Sequence, residues 1–287
     1  MINYSKSGFY HSWSGENANG NRFELFCGDS ATVLADIPSA SVDCIVTSPP
    51  YYSLRDYQVD GQIGLEETVG QYVDSICAVM DEAYRVLKDD GVLFLNIGDT
   101  YYSGKGKSCG IDSKSSKRRF GLRPVDRSGG VGIDAQRKSI LGIPWRVAID
   151  MMARKWILRA PIIWHRAKSL PESVKDRPSH SYEYIFMFVK GRFYHFDREP
   201  LRSQMLDEDI WEITARPKAG SLQTAPYPDE LVEKCLQIGC PEGGTVLDPF
   251  VGSGTTMRVA LNKGMNAIGI DLNQSFCEYI LKDIGVK

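Results

Sequence analysis

The chain has 287 residues, 43% apolar and 24% charged, with a net charge of −2, enough for one sizeable α/β core. No apolar run approaches the roughly 20 residues of a membrane span, and the opening MINYSKSGFYHSW has no signal-like apolar stretch, so no membrane partner is expected. The seven cysteines form no CxxC pair and no zinc-like Cys/His spacing, the pattern of reduced thiols in a cytoplasmic protein without a structural metal.

In chain order, RFELFCGD (22–29) predicts a short strand and SATVLADI a helical turn or two. VDCIVTS (42–48) predicts a buried strand that runs into Ser48-Pro49-Pro50-Tyr51. Residues 68–91 space apolar side chains at helical intervals, and Gly91 is a natural residue to end that helix. GVLFLNIGD (91–99) predicts another buried strand. Helix 143–156 opens with Pro144 in its first turn, and 157–167 with 182–191 read as an antiparallel strand pair. A helix over 227–239 starts with Pro and two acids and ends in Gly. TVLDPFVGSGTT (245–256) is a strand entering a glycine-rich turn, followed by a helix and the strand NAIGIDLN. Strands alternating with helices predict a doubly wound, mostly parallel sheet, in a single domain over 1–287.

Charge is unevenly spread. Residues 103–139 carry ten Lys/Arg against three Asp, a net +7, so the remaining 250 residues hold −9. With seven Gly, seven Ser and no apolar periodicity, this segment reads as a mobile basic insertion suited to a polyanion.

Two stretches carry chemistry. In the first, consecutive prolines after Ser48 lack amide protons and have fixed φ, which makes a stiff ledge of carbonyl acceptors beside a hydroxyl and an aromatic ring. In the second, a strand ends in Asp248 and a turn with Gly252 and Gly254 lets backbone approach a ligand. About twenty residues later Asp271 closes the next strand, where a carboxylate can accept from ribose hydroxyls. The turn has no lysine for a P-loop and only GSG of a dinucleotide fingerprint, and GSG alone is also compatible with a tight strand-to-helix turn.

SPPY together with DPFVGSGTT resembles the S-adenosylmethionine-dependent amino-methyltransferases of DNA, over nearly the whole chain after residue 22. SPPY precedes the cofactor motif, as in the circularly permuted beta group of that family. The resemblance extends to GQIGLE (61–66), LGIPWRVA (141–148), IIWHRAKSLPESV (162–174) and YPDELVEKC (227–235). It implies a class I methyltransferase-like fold and S-adenosylmethionine as methyl donor. Asp248, Phe250, Gly252, Gly254 and Thr255 would then cradle the methionine end, with Asp271 on the ribose and Asp29 near the adenine. SPPY rather than DPPY resembles the members that modify cytosine at N4, with adenine N6 as the alternative.

An exocyclic amine is a poor nucleophile because its lone pair is conjugated into the ring. Acceptors for both amine protons, here the Ser48 hydroxyl and the Pro49 carbonyl held by the proline pair, draw it toward sp³ geometry. Tyr51 would stack on a base flipped out of duplex DNA. No cysteine follows either proline, which argues against carbon-5 methylation through a covalent intermediate. His165 falls in a segment that lines the base pocket in the resembling family, and Trp164 reads as packing. Candidate DNA-facing segments are 103–139, 166–180 and 198–224 with Arg202, Arg216 and Lys218. Rival readings are an RNA base or protein glutamine as acceptor, or a silent DNA-binding module that keeps the cofactor pocket. A cognate restriction nuclease is a possible partner, and a nucleoid-associated location in the cytoplasm is expected. Deleting 106–136 is expected to weaken DNA binding and flatten its dependence on salt, measured as the slope of log affinity against log salt.

Overall fold

The computed structural model describes residues 2–4, 10–17, 19–102, 135–166, 175–203, 208–214 and 227–284. Most of the basic insertion, residues 103–134, therefore lies outside the described residues, as do Arg216 and Lys218. Among the described residues, ten strands form one sheet. They are β1 (Ile2–Tyr4), β2 (His11–Glu16), β3 (Arg22–Cys27), β4 (Val42–Thr47), β5 (Leu87–Ile97), β6 (Ile157–His165), β7 (Tyr182–Val189), β8 (Ile210–Glu212), β9 (Thr245–Asp248) and β10 (Asn266–Asp271). The order across the sheet is β1-β2-β3-β10-β9-β4-β5-β7-β6-β8. Strands β3, β10, β9, β4 and β5 run parallel, and β7 returns antiparallel between β5 and β6.

The helices that accompany it are α1 (Ser30–Asp36), α2 (Val69–Val86), α3 (Ile143–Ala153), α4 (Glu199–Ser203), α5 (Asp229–Gly239), α6 (Thr255–Asn262) and α7 (Gln274–Asp283). Strand alternation sorts side chains to two faces. Ile45, Leu93, Leu95, Phe186 and Phe188 meet α1, α2 and α3 on one face, while Cys44, Val46, Phe94, Ile185 and Met187 meet α5, α6 and α7 on the other. This is the doubly wound, mostly parallel methyltransferase-like sheet expected from the sequence.

The 68–91 helix needs correcting. Helix α2 starts with a capping box between Thr68 and Gln71 and stops at Val86, because Leu87 turns to ψ 139° and begins β5. Gly91 is interior to β5 and does not cap a helix. Pairing with β4 jumps from Val42–Leu87 to Cys44–Val92, so residues 88–91 bulge past Asp43. A Cβ on Gly91 would stand 2.9 Å from the Asp43 carbonyl oxygen, so close backbone approach requires glycine there. Strands β1, β2 and β8 and helices α4 and α7 have no counterpart in the sequence reading. The first three pair at the sheet's outer edges, where the apolar signal is thin. Helix α7 opens on Asn273, whose side chain accepts from the Ser275 amide.

Chain order leaves a gap between β3 and β4 that β9 and β10 later fill. The carboxyl ends of four adjacent parallel strands therefore meet along one edge of the sheet, the usual place for a ligand crevice in such folds. Arg258 of α6 ties the helices beneath that edge together. Its Nη1 and Nη2 donate to Asp229 of α5 at 2.7 and 2.8 Å, and its Nε lies 3.1 Å from Asp283 of α7. Arg258→Ala is expected to cost about 2 kcal/mol, after allowance for the partial exposure of both acids. The urea midpoint reads this, and an unchanged midpoint would show that the three helices hold together without it.

Candidate active site

At the end of β4, Thr47 is fully buried and its hydroxyl donates to Asp248 Oδ1 at 2.6 Å. The same carboxylate accepts from the Phe250 amide (3.0 Å), Tyr227 (2.7 Å) and Thr256 Oγ1 (2.7 Å). Tyr227 and Thr256 also touch each other. Burial pushes the Asp248 pKa above the ordinary carboxylate range, and the donors oppose that rise. The carboxylate thus joins the ends of β4 and β9 to the first turn of α6.

The chain then turns through Pro49 and Pro50. The Pro50 carbonyl accepts from Tyr72 of α2 at 2.8 Å, which anchors the ledge from below. The Tyr51 ring lies so close to Gly98, just past β5, that a Cβ there would be 2.7 Å from Cε2. The Tyr51 hydroxyl donates to Glu183 Oε2 of β7 at 2.5 Å, with Asn96 Oδ1 of β5 3.2 Å away, and Ser48 Oγ donates to it at 3.4 Å. Asn96 Nδ2 donates to the same Glu183 oxygen (3.2 Å) and to the Tyr184 carbonyl (3.1 Å). Arg166 Nη1 donates to Glu183 Oε1 at 3.0 Å, and its Nη2 to the His180 carbonyl at 3.0 Å. Burial first, then the Glu183 carboxylate, push the Tyr51 pKa well above the ordinary tyrosine value.

On the opposite side, Gly252 and Gly254 take positive φ of 52° and 84°, the left-handed backbone that glycine supplies without strain. The Gly252 amide donates to Asp271 Oδ2 and the Asn273 amide to Oδ1, both at 2.8 Å. Burial raises the Asp271 pKa to about 7; the two amides pull it down and the charge of Asp248 adds to the rise. Asp29 caps α1, accepting from the Thr32 amide and hydroxyl at 2.9 and 2.8 Å.

One cavity of about 280 Å³ lies between these two sides. Ser48, Pro49, Pro50 and Tyr51 border it, as do Asp29, Phe250, Gly252, Thr255 and Asp271. Asp248 and Gly254 do not line it. Asp248 is fully buried behind the wall, and a Cβ on Gly254 would stand 2.8 Å from Ile280 of α7, so that glycine serves packing.

Sequence reasoning missed Asn96, Glu183 and Arg166, which close the cavity beside Tyr51. Asn96 was findable as the lone polar residue in the run VLFLNI, whereas nothing local marks Glu183. Arg166 turns toward the cavity and Glu183, away from the surface role given to its segment, most of which (167–174) lies outside the described residues. Trp164 borders the cavity and donates Nε1 to the Ile213 carbonyl at 3.0 Å. His165 does not border it; its Nδ1 lies 3.5 Å from Glu212. Arg202 is exposed, 3.9 Å from Glu199. Among the described residues no cluster of His, Cys, Asp and Glu could hold a metal, and no helix is long and apolar enough to cross a membrane.

Comparison with known proteins places this geometry. A family model described as DNA methylase matches residues 42–282. The type II methyltransferase M.Cfr9I of Citrobacter freundii is 40% identical over 264 residues, covering 90% of this chain and 86% of the relative. M.XycI of Xanthomonas campestris pv. cyanopsidis, also a type II methyltransferase, is 42% identical over 258 residues, covering 88% and 84%. Among solved structures, a putative DNA modification methylase from Thermus thermophilus, complexed with S-adenosyl-L-methionine, superposes with a TM-score of 0.61 at 25% identity, covering 90% of this chain and 92% of that one. The cytosine-N4-specific PvuII DNA methyltransferase shares the fold, with a TM-score of 0.68 at 17% identity and coverage of 96% and 98%. A match that takes in both the ledge after β4 and the glycine turn after β9 leaves one assignment: the chain belongs to the DNA methylase family.

Proposed function

We propose that the protein transfers a methyl group from S-adenosylmethionine to the N4 amine of a cytosine flipped out of duplex DNA. The observation that carries this reading is the sharing of one cavity by the Ser48-Pro49 acceptor ledge and the Gly252–Asp271 wall. The wall suits the cofactor. Asp271 presents a carboxylate already oriented by two amides, Gly252 carries no side chain to block approach, and Phe250 and Phe276 offer flat apolar surface. Asp271 would accept from the ribose hydroxyls, Asp29 would lie toward the adenine, and Phe250, Gly252 and Thr255 would line the methionine end. The role of Asp248 is to hold that wall, and of Gly254 to let α7 pack against it. Bound there, S-adenosylmethionine supplies an electrophilic methyl group.

The chain's own residues do the rest. Ser48 Oγ and the Pro49 carbonyl accept the two amine protons and so free the lone pair for attack. The Pro50 carbonyl is taken by Tyr72, so the ledge cannot rotate away. Tyr51, pinned at its hydroxyl and braced against Gly98, offers a fixed ring for the base to stack on. Serine at position 48, as in the resembling cytosine-N4 enzymes, favours cytosine over adenine N6; the family takes in both chemistries. The ordinary partner is duplex DNA, with the basic segment 103–139 supplying phosphate contacts.

Incubation of unmethylated genomic DNA with the protein and isotopically labelled cofactor, followed by nucleoside mass spectrometry, is expected to place label in N4-methylcytosine. Label in N6-methyladenine would overturn the choice of base and keep the site. Ser48→Ala is expected to lower the single-turnover rate about 10²-fold with cofactor affinity within about twofold. Ribose hydroxyls donate best to ionised Asp271, so cofactor affinity should be full above its pKa of about 7 and fall as the pH drops below it. Calorimetric titration between pH 5.5 and 8.5 reads that fall, and Asp271→Asn should bind more weakly and without the pH dependence.

A further inference from the structure

Methyl transfer to an exocyclic amine has a second half. When the nitrogen lone pair forms the new C–N bond, the C–S bond breaks and its electrons go to sulfur. The nitrogen is left with positive charge and one proton too many. Ser48 and the Pro49 carbonyl can hold that proton only briefly, because neither is basic at neutral pH. The acids Asp29 and Asp271 lie on the cofactor side and are engaged there with the α1 cap and the glycine turn.

The acceptor side has a carboxylate of its own. Glu183, with a side chain only 12% exposed, sits at the end of a directed chain of hydrogen bonds. Ser48 donates to the Tyr51 oxygen, and Tyr51 donates to Glu183 Oε2. Both donors point outward from the ledge, which leaves the Ser48 lone pairs for the amine. Asn96 holds the receiving oxygen from a second direction, and Arg166 places its charge on the other oxygen. The charged and titratable groups against Glu183 are Tyr51, from the loop after β4, and Arg166, from the end of β6, with Tyr72 of α2 behind Pro50.

From this arrangement we infer that Glu183 takes up the proton released by the methylated amine, acting through Tyr51 and Ser48, and supplies the counter-charge for the cationic nitrogen. The step balances as a relay. The N–H electron pair stays on nitrogen as its proton passes to Ser48 Oγ. The Ser48 proton passes to the Tyr51 oxygen, and the Tyr51 proton to Glu183 Oε2. Glu183 ends neutral and returns the proton to solvent. The raised Tyr51 pKa fits this role, since the hydroxyl stays protonated between transfers. The longest link, Ser48 to Tyr51 at 3.4 Å, is of the kind that shortens when a substrate packs against it. The inference rests on the proposed reading in that the acceptor is an amine on a flat ring bound at this ledge.

The test uses the full chain and single-turnover transfer at saturating labelled cofactor, with Glu183→Gln, Tyr51→Phe and the double variant. Glutamine keeps the shape and an acceptor oxygen and removes the charge. Glu183→Gln is expected to lower the rate about 10²-fold. Calorimetric cofactor affinity and Tm should stay near those of the wild type. The wild-type rate profile should show an acid limb that is absent in Glu183→Gln. The double variant should be no slower than the slower single variant, because both break one chain. A wild-type rate in Glu183→Gln, an acid limb unchanged by it, or a loss matched by lost cofactor affinity would overturn the inference. Mass spectrometry of the same reactions separates the two claims. Label in adenine with a slow Glu183→Gln would refute the choice of cytosine and support the relay, while label in cytosine with a fast Glu183→Gln would do the reverse.

Discussion

The buried carboxylate of Asp248 is the constraint on which the site depends. Its four donors come from β4, the turn after β9, α6 and the approach to α5, so one side chain gathers elements far apart in the chain. A carboxylate with no contact with water is costly unless its lone pairs are filled. Here the filling groups are those that aim the ledge and the glycine turn at each other. Thr47 immediately precedes Ser48, and Thr256 follows Thr255, which faces the cavity. The desolvated acid thereby sets the spacing between the proline ledge and the glycine turn.

The two halves differ in what they ask of the protein. The cofactor wall is made of backbone amides, glycine and an acid whose ionisation lies near neutrality. In the proposed reading it grips a ligand already charged and activated. In that reading the acceptor side works on a nucleophile that is poor by conjugation, so it needs rigid acceptors and a route for a proton. Proline supplies rigidity, Tyr72 locks the second carbonyl, and the Tyr51–Asn96–Glu183–Arg166 group provides charge on a strand distant in sequence.

That distance explains what local reasoning reached. The apolar runs of β4, β5, β7, β9 and β10 are near-continuous because central strands covered by helices on both faces are buried on both, so they are visible as composition. β2, next to the outermost strand β1, buries no side chain fully, and the edge strand β8 buries Trp211 alone of its three, so neither leaves much pattern. Gly91 looked like a helix end because glycine fits several backbone roles, and only its contact with Asp43 reveals a bulge. His165 and Trp164 adjoin in sequence, yet strand alternation gives the cavity to Trp164 and the far side to His165.

What the sequence by itself determined is whatever short-range chemistry dictates. SPPY must be a stiff run of carbonyl acceptors because proline has no amide proton and a fixed φ, and GSG before a helix must be a tight strand-to-helix turn. The alternation of strands and helices likewise settled a doubly wound sheet. Tertiary structure alone decided which acids face the cavity and which stand behind it. Asp248 and Asp271 each end a strand, but three side-chain hydroxyls close around the first, while the second receives two backbone amides and stays on the wall. It also decided that Glu183 meets Tyr51, 132 residues away, because β7 is inserted antiparallel beside β5. Strand order across a sheet is fixed by packing between distant segments, and no local pattern encodes it.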